Sequence, residues 1–319
     1  MGSHLVKRLS RSHDEIFCLS RKSPNPPNSG RIYWINGEIT DPLSYQDFLK
    51  ETDYVYHLAG IVNARRAEEY RQVNVEGTKI LLRSCYKAAR KLKKFIHMSS
   101  IAAMGPTNNA RLLDESLPCH PMTEYGKSKL AAEKVAFEYS KKLPLVIIRP
   151  SFIYGQGDKR GLSILSSILA HSADTYRSSI KAISLCNVSD ITQCCILAAK
   201  NNTGSGEVFI VSDGKVYTWD YLRALLCDIC TRLAISDIGI SPAAGNNPNI
   251  SNANTHGRYC WGCDISKAKA LLGYKPKTML AKGAFETIRW YLHNDYLTKY
   301  GPPFKNQIVN GDNYAAKNY

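Results

Sequence analysis

Ser100, Tyr125 and Lys129 stand in this chain as S-S-I-A-A-M-G followed by E-Y-G-K-S-K, and these residue types at this spacing can move a proton to or from an oxygen bound to carbon. A phenol with its ordinary pKa of about 10 is a poor base at neutral pH, so a tyrosine used in this way needs a cation to stabilise its phenolate. Lys129 meets that need. It follows Tyr125 by four residues in Y-G-K-S-K-L-A-A-E-K-V-A, whose Lys, Ala, Leu and Glu content favours helix, so both side chains fall on one face. Ser100 supplies a hydroxyl to hydrogen-bond the reacting oxygen. The plain alternative for a Tyr-x-x-x-Lys pair is a solvated helix face, and the residues around it decide between the two.

Positioning three such groups requires a frame. Short apolar runs alternate with helical periods, with strands read near 15–20, 31–35, 54–58, 94–99, 144–149 and 207–211 and helical patterns at about 67–91 and 125–142. That alternation predicts an α/β fold, a doubly wound parallel sheet with a smaller C-terminal lobe. Leu81, Leu82, Cys85 and Ala89 recur at the spacing that buries one face of a crossover helix. Residues 1–155 with 187–211 form the larger domain in this reading, 156–186 and 212–297 a substrate lobe, and 298–319 a tail. The Gly/Asn/Ser/Pro-rich stretch 243–257 reads as a mobile loop.

D-Y-V-Y-H-L-A-G (53–60), Y-R-Q-V-N-V-E-G-T (70–78), F-I-H-M-S-S-I-A-A-M-G (95–105), the Tyr125 segment and L-V-I-I-R-P-S-F-I-Y-G-Q-G-D (145–158) occur in one fixed order. Together they resemble the extended short-chain dehydrogenase/reductase family, which includes nucleotide-sugar epimerases and dehydratases, 3β-hydroxysteroid dehydrogenases and dihydroflavonol reductases. The likeness runs from Gly2 to about Asn294. It implies a Rossmann-like fold and hydride transfer between a nicotinamide and a secondary alcohol or ketone. Tyr125 would be the general acid or base, Lys129 would lower its pKa and hold the nicotinamide ribose, and Ser100 would orient the substrate oxygen.

The resemblance also places the cofactor. Leu58, Ala59 and Gly60 would line its adenosine side, Glu38 and Ile39 would read the adenine, and Pro150 and Phe152 would contact the nicotinamide. Asn74 would bond backbone near the site. The family's fingerprint is a strand followed by G-x-x-G-x-x-G, and Gly2 falls at its third glycine. The expectation is therefore that the strand and two glycines lie upstream of Met1, the alternative being a truncated, cofactor-free relative. At the end of the second strand an acid would bond a ribose 2′-hydroxyl and an Arg would suit a 2′-phosphate. C-L-S-R-K-S puts Arg21 and Lys22 there, which favours NADP over NAD.

A formal charge of +15 over 319 residues is compatible with nucleic acid, but the basic residues are scattered and no nucleic-acid module is recognisable. An anionic cofactor and substrate explain it more economically. The chain has no long apolar run, which predicts no transmembrane segment, and its start lacks the apolar core of a signal peptide, which places it in the cytoplasm. The ten cysteines then read as reduced thiols. Cys227/Cys230 and Cys260/Cys263 have the spacing of a zinc site, yet the first pair lies in an amphipathic helical pattern where small cysteines fill core positions, so no metal is expected. The substrate stays open between a hydroxysteroid-like alcohol, a flavonoid-like ketone and a nucleotide sugar, with net reduction or dehydrogenation the leading expectation and epimerisation of a nucleotide sugar the alternative; Ile101 and Ala102 after Ser100 argue against a 4,6-dehydratase. Helices 67–91 and 125–142 resemble the pair through which relatives dimerise, so a homodimer is expected by analogy.

Overall fold

Two strands buried on both faces, β4 (Lys94–Met98) and β5 (Leu145–Pro150), form the middle of the molecule. Their apolar runs, F-I and L-V-I-I, suit a parallel strand covered on each side. With β3 (Tyr54–His57) and β9 (Glu207–Val211) they make a parallel sheet in the order β3-β4-β5-β9. The computed structural model describes residues 1–22, 30–108, 111–158, 161, 180–233, 258–294 and 296. The loop expected at 243–257 and the tail expected at 298–319 lie outside the described residues.

Side chains alternate across the sheet and give it two cores. Phe95, Leu145 and Ile147 point to the face covered by α4 (Gly77–Ala88) and α5 (Glu124–Tyr139), meeting Leu81, Leu82, Cys85 and Ala136. Ile96, Met98, Val146 and Ile148 point to the other, where α1 (Gly2–Leu9), α6 (Val188–Lys200) and α8 (Ser266–Leu272) bring Leu5, Ile191, Cys194 and Leu272. Helices on both faces of a parallel sheet make the fold doubly wound, as the alternation predicts.

Two elements depart from the expected pattern. Helix 67–91 is a short α3 (Ala67–Tyr70), a π-helical turn over Arg71–Glu76, and α4. The wider turn brings Asn74, at its middle, into a buried position. The second departure is a break in the sheet. β1 (Ile16–Ser20) pairs with β2 (Ile32–Asn36) in a separate two-stranded parallel sheet, and among the described residues no ladder joins β1 to β3. The outer face of β1 leaves Phe17 and Leu19 exposed, with Phe17 stacked on Tyr33 at 5.2 Å.

A third apolar cluster gathers later segments: β7 (Ile180–Ile183), α7 (Trp219–Arg232), β10 (Tyr259–Trp261) and α9 (Leu280–His293), with β6 (Phe152–Tyr154) and β8 (Leu185–Asn187) packed beside it. Ile101, Met104 and Leu113, from loops beyond β4, belong to this cluster, so it adjoins the carboxyl ends of the strands. Cys227 and Cys230 fill apolar positions in it. Among the described residues no helix is long and apolar enough to cross a membrane.

Candidate active site

The carboxyl end of β4 runs directly into Ser99 and Ser100. Ser100 has extended backbone and caps the turn Ile101–Ala103, its Oγ accepting the Ala102 N–H at 3.1 Å. The hydroxyl keeps its own hydrogen to donate elsewhere. Helix α5 begins against this same turn, where Thr123 caps it by accepting the Gly126 N–H at 3.0 Å. Tyr125 is thereby set in the first turn of α5, partly exposed, its ring 6.1 Å from that of Tyr70.

The closeness of helix and turn depends on Gly126. A Cβ built there would lie 2.3 Å from the Ala102 carbonyl oxygen, a backbone atom that cannot step aside. Helix propensity alone would make Gly126→Ala stabilising by about 1 kcal/mol. The clash reverses the sign: the variant is expected to lose about 1–3 kcal/mol in urea unfolding and to lose activity, because Tyr125 moves with the helix start. A gain in stability would show that the approach is looser than described.

One turn on, Lys129 is buried and donates to the Met98 carbonyl at 2.5 Å. Burial pulls its ammonium pKa down to about 8, against the opposing charge of Glu133. Glu133 itself is committed elsewhere. Its carboxylate takes both Nε and Nη2 of Arg149 on β5, at 2.9 and 2.6 Å, in a fully buried bidentate pair. Arg149 also donates to Cys119 Sγ at 3.4 Å. Glu133 does not stand out in the sequence, because a glutamate in a Lys-rich helix looks like surface; the one signal for it is a carboxylate four residues after Lys129.

Asn74 ties the loop after β3 to α5. Its side chain accepts from Ile61 N–H at 2.8 Å and donates to the Ile61 carbonyl and Ser128 Oγ, both at 3.0 Å. Ala59 and Gly60 are held exposed just beyond β3, while Leu58 packs towards the core beneath α1. Gly2 opens α1, whose N-terminus has no side-chain cap and no acidic residue in its first turn. His4 meets the Gln156 carbonyl at 2.7 Å, which brings that helix end beside the turn after β6.

The remaining candidates are more scattered. Glu38 is exposed, whereas the Ile39 side chain is buried under α4, leaving only its backbone for a ligand. Arg21 and Lys22 are exposed immediately after β1. Pro150 ends β5 opposite Val211, yet the ladder runs one bond further through Ser151 N–H to the Val211 carbonyl. Phe152 is half-buried and meets Trp261 edge-on at 5.8 Å.

Known proteins are similar to this chain along nearly its whole length. UDP-glucose 4-epimerase of Vibrio cholerae is 28% identical over 309 residues, covering 92% of each chain. Sterol-4-alpha-carboxylate 3-dehydrogenase (decarboxylating) of Candida albicans is 25% identical over 338 residues, covering 91% of this chain and 94% of that one. Among solved structures, UDP-glucuronic acid 4-epimerase from Bacillus cereus, in complex with UDP-glucuronic acid and NAD, superposes with a TM-score of 0.73 at 22% identity, covering 92% of this chain and 96% of that one. The model of the NAD dependent epimerase/dehydratase family matches residues 1–212, and the chain therefore belongs to that family of enzymes.

Proposed function

We propose that the chain carries out NAD-dependent oxidoreduction at a secondary carbinol of a nucleotide sugar, with epimerisation as the net reaction. The observation that carries this reading is the buried Lys129, one helical turn from Tyr125 and anchored on the last carbonyl of β4. A cation fixed there stabilises a phenolate at Tyr125, so that Tyr125 accepts the hydroxyl proton of the substrate and returns it later. Ser100 Oγ–H donates to the same oxygen and holds it in place. NAD, when bound, supplies the hydride acceptor.

The chain's own residues suit a dinucleotide at several points. The uncapped, acid-free N-terminus of α1 offers backbone N–H groups and the positive end of a helix dipole to a pyrophosphate, and nothing would meet a Cβ at Gly2 within 4 Å. Ala59 and Gly60 give an exposed, small-side-chain ledge beyond β3. The expectation of NADP rests on Arg21 and Lys22 alone. The family is NAD-dependent and the Bacillus cereus relative holds NAD, so NAD is the proposed cofactor and these two residues are solvated cations.

A nucleotide sugar is favoured by the net charge of +15 and by likeness to two UDP-sugar epimerases over nine-tenths of the chain. Dehydrogenation or reduction of an apolar hydroxysteroid-like alcohol or flavonoid-like ketone is the second reading, favoured by the aromatic pair Phe152–Trp261 and by the sterol relative.

Incubation with NAD and UDP-glucose or UDP-glucuronic acid, with parallel titrations of NADH and NADPH, tests these assignments. The expected result is the C4 epimer without net NADH and tighter binding of NADH than NADPH. Accumulation of NADH with a sterol alcohol would select the second reading. Tighter NADPH binding that is lost in Arg21→Ala would restore the 2′-phosphate assignment, and a folded chain that binds neither nucleotide would overturn both readings.

A further inference from the structure

Close enough to Lys129 for its charge to act on both, two histidines meet. His57 and His97 are register partners on β3 and β4, their rings 5.2 Å apart on the face under α4 and α5. Both are buried. His57 Nδ1 and both nitrogens of His97 have no hydrogen-bond partner among the described residues. Three unpaired ring nitrogens in one buried place call for an explanation, since such groups are almost always satisfied by protein or by an ordered water.

The surrounding bonds fix the direction in which any chain of donors must run. Thr78 Oγ1 gives its single hydrogen to the Asn74 carbonyl at 2.6 Å, so at its 2.7 Å contact with His57 Nε2 it can only accept. His57 therefore carries its proton on Nε2, and Nδ1 is a bare acceptor. Burial and the nearby Lys129 charge lower the pKa of both rings, that of His57 to about 3, which keeps them neutral. A neutral His97 offers one N–H. Lys129 spends one N–H on Met98 and has two more. Glu133 on α5, whose charge acts on Lys129, and Arg149 on β5 are occupied by each other.

From this we infer that a buried water sits between Lys129, His97 and His57, and that the two histidines are positioning residues for the Lys129 ammonium. The water accepts from Lys129 and from the one N–H of His97 and donates to His57 Nδ1, which pairs two of the three nitrogens. The chain then runs from ammonium to water, to His57, to Thr78, and ends on the Asn74 carbonyl. Every donor points the same way, the arrangement in which successive bonds strengthen one another. Two acceptances and one donation fall within what buried waters normally make. The effect is to hold the ammonium charged against its own burial, which matters for catalysis through the reading of Lys129 given above.

The test does not require turnover. Nitrogen-15 spectra of the imidazoles should show His57 as the Nε2–H tautomer and neither ring titrating between about pH 5 and 9. Carbon-13 spectra of the lysine side chains should show the Lys129 midpoint falling by about half a pH unit or more in Thr78→Val and in His57→Phe. Thermal unfolding of each variant confirms that it is folded, and Thr78→Val, an isosteric change, serves if His57→Phe does not fold. An Nδ1–H tautomer at His57, or an unmoved Lys129 midpoint in a folded Thr78→Val, would overturn the inference. Neither outcome depends on the substrate, so failure to epimerise leaves this test intact.

Discussion

Tyr125→Phe lowers turnover by about 100- to 10,000-fold while the chain stays folded and binds NAD as before, the range expected when a positioned acid–base group is removed. The separation of the two effects follows from where Tyr125 sits. Its ring is partly exposed in the first turn of α5, so losing a hydroxyl leaves the core untouched, and the dinucleotide contacts proposed at α1 and after β3 belong to other elements. Single-turnover rates and NADH titration on the same preparation check the prediction. An unchanged rate would remove Tyr125 from the chemistry.

Glu133→Ala gives the largest loss of stability, about 3–5 kcal/mol in urea unfolding, because it leaves the Arg149 guanidinium buried without its carboxylate. Replacing both partners by apolar residues, Glu133→Leu with Arg149→Met, should recover most of that loss, since the penalty lies in the unpaired charge. The single change also reaches the active site. The charge of Glu133 raises the Lys129 pKa against burial, so without it the ammonium titrates below about 8. The folded pKa of Lys129 lies under its unfolded value, so over the interval between them the unfolded chain binds more protons and stability climbs with pH. In the variant that climb starts at a lower pH. A Glu133→Ala chain as stable as the parent would mean that Arg149 finds another acceptor.

Much of this arrangement can be read from local sequence. Tyr125 and Lys129 are four residues apart in a helix-forming stretch, and short apolar runs such as L-V-I-I announce strands covered on both faces. What stays hidden depends on neighbours that are distant in the chain. Glu133 and Arg149 become a pair only because α5 packs on β5, and His57 and His97 only because β3 and β4 align in that register. The close contact at Gly126 arises where a helix start meets a turn more than twenty residues earlier, so the glycine looks like a mere weakness in a helix. The π turn at Arg71–Glu76 is similar: one extra residue per turn leaves no trace in composition but moves Asn74 inward. Ile39 misleads in the opposite sense, since its side chain serves the core whatever its backbone does.

The break between β1 and β3 divides the molecule in time as well as in space. β4 and β5, buried along their full length, can open only with the whole domain, so their amide protons should be the last to exchange with solvent. The ribbon of β1 and β2 has no ladder to that sheet among the described residues, and two strands alone are marginally stable in water. Its half-exposed strands should exchange their amide protons sooner than β4 and β5. The residues proposed to face the adenosine half of the cofactor, Arg21 and Glu38, lie just past its two strands, so one half of the ligand would meet a rigid wall and the other a yielding one.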